Sequence, residues 1–359
     1  MVSFRAEDSD ALTFSGCVIA PPAATERLLS TNADGIHCKS NRKGPLIESC
    51  RFSRQGDDAL TIVQTAHELY GLTSPTELIV NAGLYQVFAP GDRISLISQA
   101  TGLTKGEATI QNAMLVRYKD RVARKITVDR PLTGLVSVDS LGLASVPSRA
   151  DEDAVSPDKR PDLVGDLDMV GAGFVVRNGV FANHYANGIR IYSADGLVEG
   201  NRFESPAHSG TQIGMDLGFR EIFNARNVTI RGNTYAGSNG PTVYVRSLLG
   251  AHDAAKQGRD NQGITIEDNK VQGYSGRSLP VQGAITVSNA QGVRVQRNAI
   301  GPLDAKAAGS AKAVVLDLCK DVIVQDNDIA WAGRSGDPVS ITGQADRASV
   351  TVQNNRIAS

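Results

Sequence analysis

In the second half of the chain, apolar and polar residues alternate with period two in short runs, and each run closes on the same few residues. Val198-Glu199-Gly200-Asn201-Arg202-Phe203 is followed by Val228-Thr229-Ile230-Arg231-Gly232-Asn233 and by Ile264-Thr265-Ile266-Glu267-Asp268-Asn269. The series opens at Val176-Arg177-Asn178 and continues through runs ending at Asn298, Asn327 and Asn355. Such alternation predicts strands with one buried face. Successive asparagines stand 23, 32, 36, 29, 29 and 28 residues apart, which suits the coil of a solenoid. An asparagine at one phase of every coil predicts a bend whose amides stack into a hydrogen-bonded ladder. A second run lies between the asparagines of most coils, as in Gly188-Ile189-Arg190-Ile191 and Thr242-Val243-Tyr244-Val245. The fold this predicts is all-β, a right-handed parallel β-helix. A β-sandwich gives no reason for the repeated asparagine.

The start of the chain fits the same template with one substitution. Leu12 to Ile19 and Leu46 to Phe52 place Cys17 and Cys50 where later coils have asparagine, which predicts stacked, buried free thiols. Residues 84–165 break the period. Within them Asp92-Arg93-Ile94-Ser95-Leu96-Ile97 and Arg121 to Val128 alternate like hairpin strands with one face in water. The expected division is therefore first coils at 1–83, an inserted antiparallel β-barrel-like domain at 84–165, and the remaining coils at 166–359.

Composition narrows the function classes. The chain has 359 residues, 41% of them hydrophobic, and a net charge of −1, so sequence-independent nucleic-acid binding has no basic surplus to rest on. No apolar run approaches the roughly 20 residues that span a bilayer, and no membrane partner is expected. The segment Met1 to Asp8 lacks the apolar core of a secretory signal, which leaves a cytosolic protein or a trimmed piece of an exported one. Four cysteines without CxxC or Cys/His spacing make a structural zinc site unexpected. Neither metal nor cofactor is expected.

The chemistry concentrates in two short segments, Asn32-Ala33-Asp34-Gly35-Ile36-His37 and Gly56-Asp57-Asp58-Ala59-Leu60-Thr61. Asp34 and Asp58 are 24 residues apart, about one coil, so they should face each other across a rung of about 4.8 Å. Asp57 falls one position earlier and points elsewhere unless the backbone bends, for which Gly35 and Gly56 give room. Aspartate before a strand can be turn chemistry alone, and three carboxylates could also hold Ca²⁺. Two adjacent acids, however, repel each other, which a turn does not require. Glycoside hydrolysis needs paired carboxyls, about 5–5.5 Å apart for retention and 6.5–9.5 Å for inversion. The working assignment is Asp57 as general acid, with Asp34 and Asp58 holding and deprotonating the water.

These two segments, the Ala89-Pro90-Gly91-Asp92 segment, and the coils from Val176 through Ala186-Asn187-Gly188-Ile189 to Phe203 resemble glycoside hydrolase family 110. That family comprises inverting α-galactosidases built on a β-helix with β-barrel elements. The resemblance covers about residues 10 to 235. It implies an exo-acting enzyme that removes terminal α-linked (α-1,3) galactose without a cofactor, with Asp34, Asp57 and Asp58 catalytic. It further implies His37, Asn187, Arg190, Asp216 and Glu221 as sugar-binding candidates, an α-galactoside glycan as partner, and a periplasmic or secreted location. A homodimer is a further expectation, since exposed coil ends need a cap or a partner. Polygalacturonase-type pectinases share an Asp followed by Asp-Asp on this scaffold, but the chain lacks their Gly-His-Gly segment. The other readings are a pectinase-like β-helix glycosidase and a carbohydrate-binding β-helix without catalysis.

Overall fold

The alternating runs become strands, and the strands stack in parallel. The computed structural model describes residues 2–22, 26–82, 88–143, 156–248, 260–274, 283–301, 311–342 and 345–358. One ladder joins Ile36–Lys39, Leu60–Val63, Ile189–Ile191, Thr211–Asp216 and Val243–Leu248. A second joins Thr13–Ser15, Leu46–Glu48, Val175–Arg177, Ala194–Glu199 and Arg226–Arg231. A third joins Val18–Ile19, Arg51–Ser53, Val180–Ala182, Arg202–Glu204 and Thr234–Ser238. This is the expected parallel β-helix. Alternation sends one set of side chains inward, and Phe52, Phe181, Phe203 and Tyr235 stack there at centroid spacings of 5.0, 5.0 and 4.7 Å. Burying such a side chain is worth about 1.5–3 kcal/mol, before any aromatic pairing.

The asparagine ladder forms through Asn201, Asn233, Asn269, Asn298, Asn327 and Asn355. From Asn233 onward each Oδ1 accepts from the backbone N–H and Nδ2 of the asparagine one coil earlier, at 2.8–3.1 Å, and the Asn201 Oδ1 accepts from the Gly179 N–H at 2.9 Å. Asn178 does not belong to it, contrary to the sequence expectation. The register Arg177 to Glu199 and Val180 to Arg202 puts Gly179 opposite Asn201. Asn178 lies at the preceding corner, at φ 55°, alongside left-handed Ser49 and Gly200 of the flanking coils. A Cβ at Gly179 would come within 3.0 Å of the Phe181 ring and 3.2 Å of the Asn201 amide, so the column has no room for a side chain in that coil. Cys17 and Cys50 do occupy the ladder position and are free thiols, Cys50 buried and Cys17 half-buried. The Cys50 thiol reaches the Phe14 carbonyl at 3.4 Å, as the Asn201 amide reaches Val176.

The insertion interrupts the chain but not the solenoid. Ile62 pairs directly with Ile191, and Ile47 with Val176. Between them His67–Ser74, Glu77–Asn81, Arg93–Ile97, Thr104–Tyr118, Arg121–Val128 and Leu163–Asp166 close an antiparallel barrel. Its first two strands precede residue 84, because His67–Ser74 pairs with Leu163–Asp166 to complete the closure. The barrel has its own core around Leu69, Val80, Phe88, Leu96 and Ile126. Ala66, Ile97 and Leu163 pack on Met215, Leu217 and Ile222 of the solenoid. The charged segment 216–221 is thereby pressed against the first ladder.

Candidate active site

The register Ile36 to Leu60 sets Asp34 opposite Asp58. The Gly35 N–H donates to the Asp58 carbonyl at 3.1 Å. A Cβ on Gly35 would stand 2.5 Å from the Ala59 carbonyl oxygen, so this close approach requires glycine. Asp57 also turns toward the pair. Oxygens of Asp34, Asp57 and Asp58 lie within 4.8 Å of one another, so the three sequence candidates converge.

The three acids have different surroundings. Asp58 is buried and its two oxygens are engaged. Oδ1 accepts from the Asn187 backbone N–H at 2.9 Å and its Nδ2 at 2.8 Å. Oδ2 lies 2.9 Å from Arg190 Nε and 3.4 Å from the Thr61 hydroxyl. Asp34 is buried and lies 2.8 Å from His37 Nδ1 through Oδ2. Asp57 stands exposed, and no described side chain donates to it. Partial burial, then Asp58 and Asp34, push its carboxyl above the usual carboxylate range, while Arg190 opposes them. With Asp58 occupied, the cluster offers few oxygens against the six to eight that Ca²⁺ takes.

Arg190 links this cluster to the segment beside the barrel. It is an outward position of its strand, in register with Thr61 and Gln212, and its guanidinium also lies 3.4 Å from Glu221. Burial works against its charge, but Asp58 and Glu221 more than compensate and raise its pKa. Burial lifts the Glu221 carboxyl to about 7 against the pull of Arg190 and His37. His37 Nε2 and Glu221 Oε2 are buried without a hydrogen-bond partner. The guanidinium lies 5.3 Å from the Phe219 ring centroid and 5.7 Å from that of Tyr192.

Of the five expected sugar-binding residues, His37, Asn187, Arg190 and Glu221 are drawn into this network. Asp216 has another task in the structure. Its Oδ1 accepts from the Phe219 N–H at 3.3 Å, capping the turn Leu217–Phe219, and its backbone bridges Glu221. Sequence reasoning passed over Thr61, Gln212 and Tyr192. Aligning the coils on Arg190 would have shown that Thr61 and Gln212 share its outward row. Tyr192 is found through the bond its hydroxyl accepts from Gln212 at 2.7 Å.

No family model matches the chain. It is 24% identical over 318 residues to alpha-1,3-galactosidase B of Akkermansia muciniphila, covering 85% of this chain and 36% of that protein. It is 23% identical over 288 residues to alpha-1,3-galactosidase A of Streptomyces avermitilis, covering 76% of this chain and 41% of that protein. The chain thus spans well under half the length of these curated relatives. Two phage tailspikes are similar at 12% identity: that of Pseudomonas phage phi297, with a TM-score of 0.33, covers 90% of this chain and 60% of its own. That of Pseudomonas phage LKA1, with a TM-score of 0.28, covers 91% and 55%. At these scores the likeness adds nothing to the pairing already described.

Proposed function

We propose that the chain is a glycoside hydrolase of the galactosidase type, acting on the terminal α-linked, α-1,3 galactose of a glycan through Asp34, Asp57 and Asp58. The observation that carries this reading is the unequal state of three converging carboxyls: one held by an asparagine and an arginine, one held by a histidine, and one exposed with no described side chain donating to it. The names of the two relatives support galactose as the sugar.

In this reading Asp57, protonated, donates to the glycosidic oxygen as the bond to the anomeric carbon breaks. Asp34 takes a proton from the water whose oxygen forms the new bond, and His37 orients that carboxylate. Galactose and the alcohol leave, with the Asp57 proton on the alcohol. Asp58, held by Asn187 and ion-paired with Arg190, serves in this reading as a fixed negative charge for the oxocarbenium-like transition state rather than as base. This narrows the working assignment, in which Asp34 and Asp58 shared that role. His37 holds Asp34, Asn187 and Arg190 hold Asp58, and Glu221 pairs with Arg190, so in this reading the four serve the sugar by positioning the acids. A uronate-cleaving pectinase gains less support, because Arg190 is already committed to Asp58 and Glu221.

Inversion rests on the family resemblance, and a retaining double displacement is the alternative. Aryl α- and β-glycosides, with the first-formed anomer followed by proton NMR, test both points. Release of β-galactose from an α-galactoside is the expected result. First-formed α-galactose would convert the reading to a retaining galactosidase. Turnover of polygalacturonate alone, or binding without turnover that ignores Asp57→Asn, would overturn it.

A further inference from the structure

A second concave site lies where barrel and solenoid meet, on the far side of the segment that carries Glu221. Its cavity measures about 450 Å³, and Phe223, two residues past Glu221, lines it. None of the residues assigned to the candidate active site does. Four cations converge there from three parts of the chain: Arg42 and Lys43 from the corner after Ile36–Lys39, Arg93 from the barrel, and Arg226 from the second ladder. Two carboxylates, Asp168 and Asp195, stand against them in the lining.

The cations divide into two pairs. Arg42 and Arg93 are anchored from behind. Arg42 donates to both oxygens of Asp92 at 2.7 and 2.9 Å, and Arg93 donates to Asp168 through its side chain at 3.0 Å and its backbone at 2.7 Å. Lys43 and Arg226 have no carboxylate within ion-pair distance among the described residues. Arg226 Nε is buried and makes no hydrogen bond, while its guanidinium lies 5.6 Å from the Phe223 ring. Asp260 is near enough to feel Arg226, whose charge pulls its carboxyl down while burial raises it. Asp195 accepts from the Asn227 amide at 2.9 Å at the exposed rim. Leu167, Val170 and Phe223 complete the wall.

Two fixed guanidiniums beside two cations without an ion-pair partner among the described residues form a site for a compact oxyanion. An unpaired buried guanidinium N–H is costly to leave without an acceptor. Arginine offers oxyanions several directed N–H donors, and lysine adds a mobile charge. The apolar wall can take the carbon face of whatever bears the group. We propose that this cleft binds a sulfate or phosphate group, free or carried as an ester on a saccharide, independently of the glycosidase reading.

Isothermal titration of the whole chain with sodium sulfate, and separately with inorganic phosphate, tests this against sodium chloride at matched ionic strength. The expected result is saturable one-to-one binding of at least one of the two anions. Lys43→Gln with Arg226→Gln should weaken it at least tenfold while leaving aryl galactoside turnover, wherever it is seen, unchanged. Titration with galactose 6-sulfate and galactose 6-phosphate then distinguishes an esterified source from the free ion by tighter binding. Heats no larger than those of chloride, or binding that survives the double substitution, would overturn the site. If Arg226→Gln does not fold, Lys43→Gln alone must still weaken binding, and an unchanged affinity there overturns it equally.

Discussion

Among the described residues two groups of three carboxylates come together, and only one of them is equipped for chemistry. Asp92, Asp166 and Asp168 bring oxygens as close together as Asp34, Asp57 and Asp58 do, within 4.8 Å. In the first group the outer acids are each locked to an arginine. Asp92 is held below its usual range by Arg42 despite burial that acts the other way. Asp166, fully buried between them, is raised to about 8, first by burial and then by Asp92. That group pins the barrel to the solenoid. In the second group one acid is likewise locked, but Asp57 keeps an exposed carboxyl to which no described side chain donates. Crowding alone therefore does not mark a catalytic site. The distinguishing feature is an acid left without a partner where a substrate can reach it.

The sharpest way to break this comparison is to remove that acid. Asp57→Asn should cut turnover of an unactivated α-galactoside by about 10²–10⁴-fold, the usual share of general acid catalysis. The loss should shrink for aryl galactosides whose leaving group needs no proton. Steady-state kinetics across a leaving-group series checks this, and a uniform loss would remove Asp57 from the acid role.

Exchanging the arginines should come next. Arg190→Met strands Asp58 and Glu221 in the interior, with an expected cost of about 3–5 kcal/mol in chemical denaturation and loss of turnover. Arg42→Met breaks a pair whose arginine is 39% exposed, so its cost should be distinctly smaller, with the aryl galactoside rate intact. Equal stability losses would erase the contrast between the two groups.

A smaller effect concerns pH. The folded-state pKa of Asp166 is raised, so its contribution favours folding in acid and fades as pH climbs from near 4 through about 8. Asp166→Asn should flatten thermal stability across that window and raise the melting temperature at pH 8. Thermal denaturation of both proteins from pH 4 to 8 reads it directly. The smallest shift should appear in Asp34→Asn, where losing one of the charges that raise Asp57 moves its carboxyl titration to lower pH. Carbon NMR of labelled aspartate would detect that movement.

Much of the architecture was legible because a solenoid repeats its physical requirements. Strand alternation and the asparagine phase recur from coil to coil, and even the cysteines at 17 and 50 could be placed by phase. The error at Asn178 arose where the repeat was degenerate. Asparagine suits a left-handed corner as well as a ladder rung, and only pairing shows that Gly179 fills the rung. The barrel's first strands, 67–81, escaped notice because alternation does not reveal whether a strand's neighbour is parallel or antiparallel. At the site, the 24-residue spacing was enough to align Asp34 with Asp58. The engagement of Arg190 and the capping role of Asp216 depend on contacts between coils and loop, which no spacing encodes.

Asn187, which fixes Asp58, follows it by 129 residues. Joining two points so far apart in a loose chain costs about 4 kcal/mol in loop-closure entropy. The barrel shortens that journey, because its first and last strands are neighbours, with His67 beside Val164. Once the barrel has closed, the two ends of the solenoid stand side by side and the next coil can simply continue. The barrel is thus a clasp between two coils, and a defect in its distant core is expected to lower the fraction of finished sites while leaving each finished site unchanged.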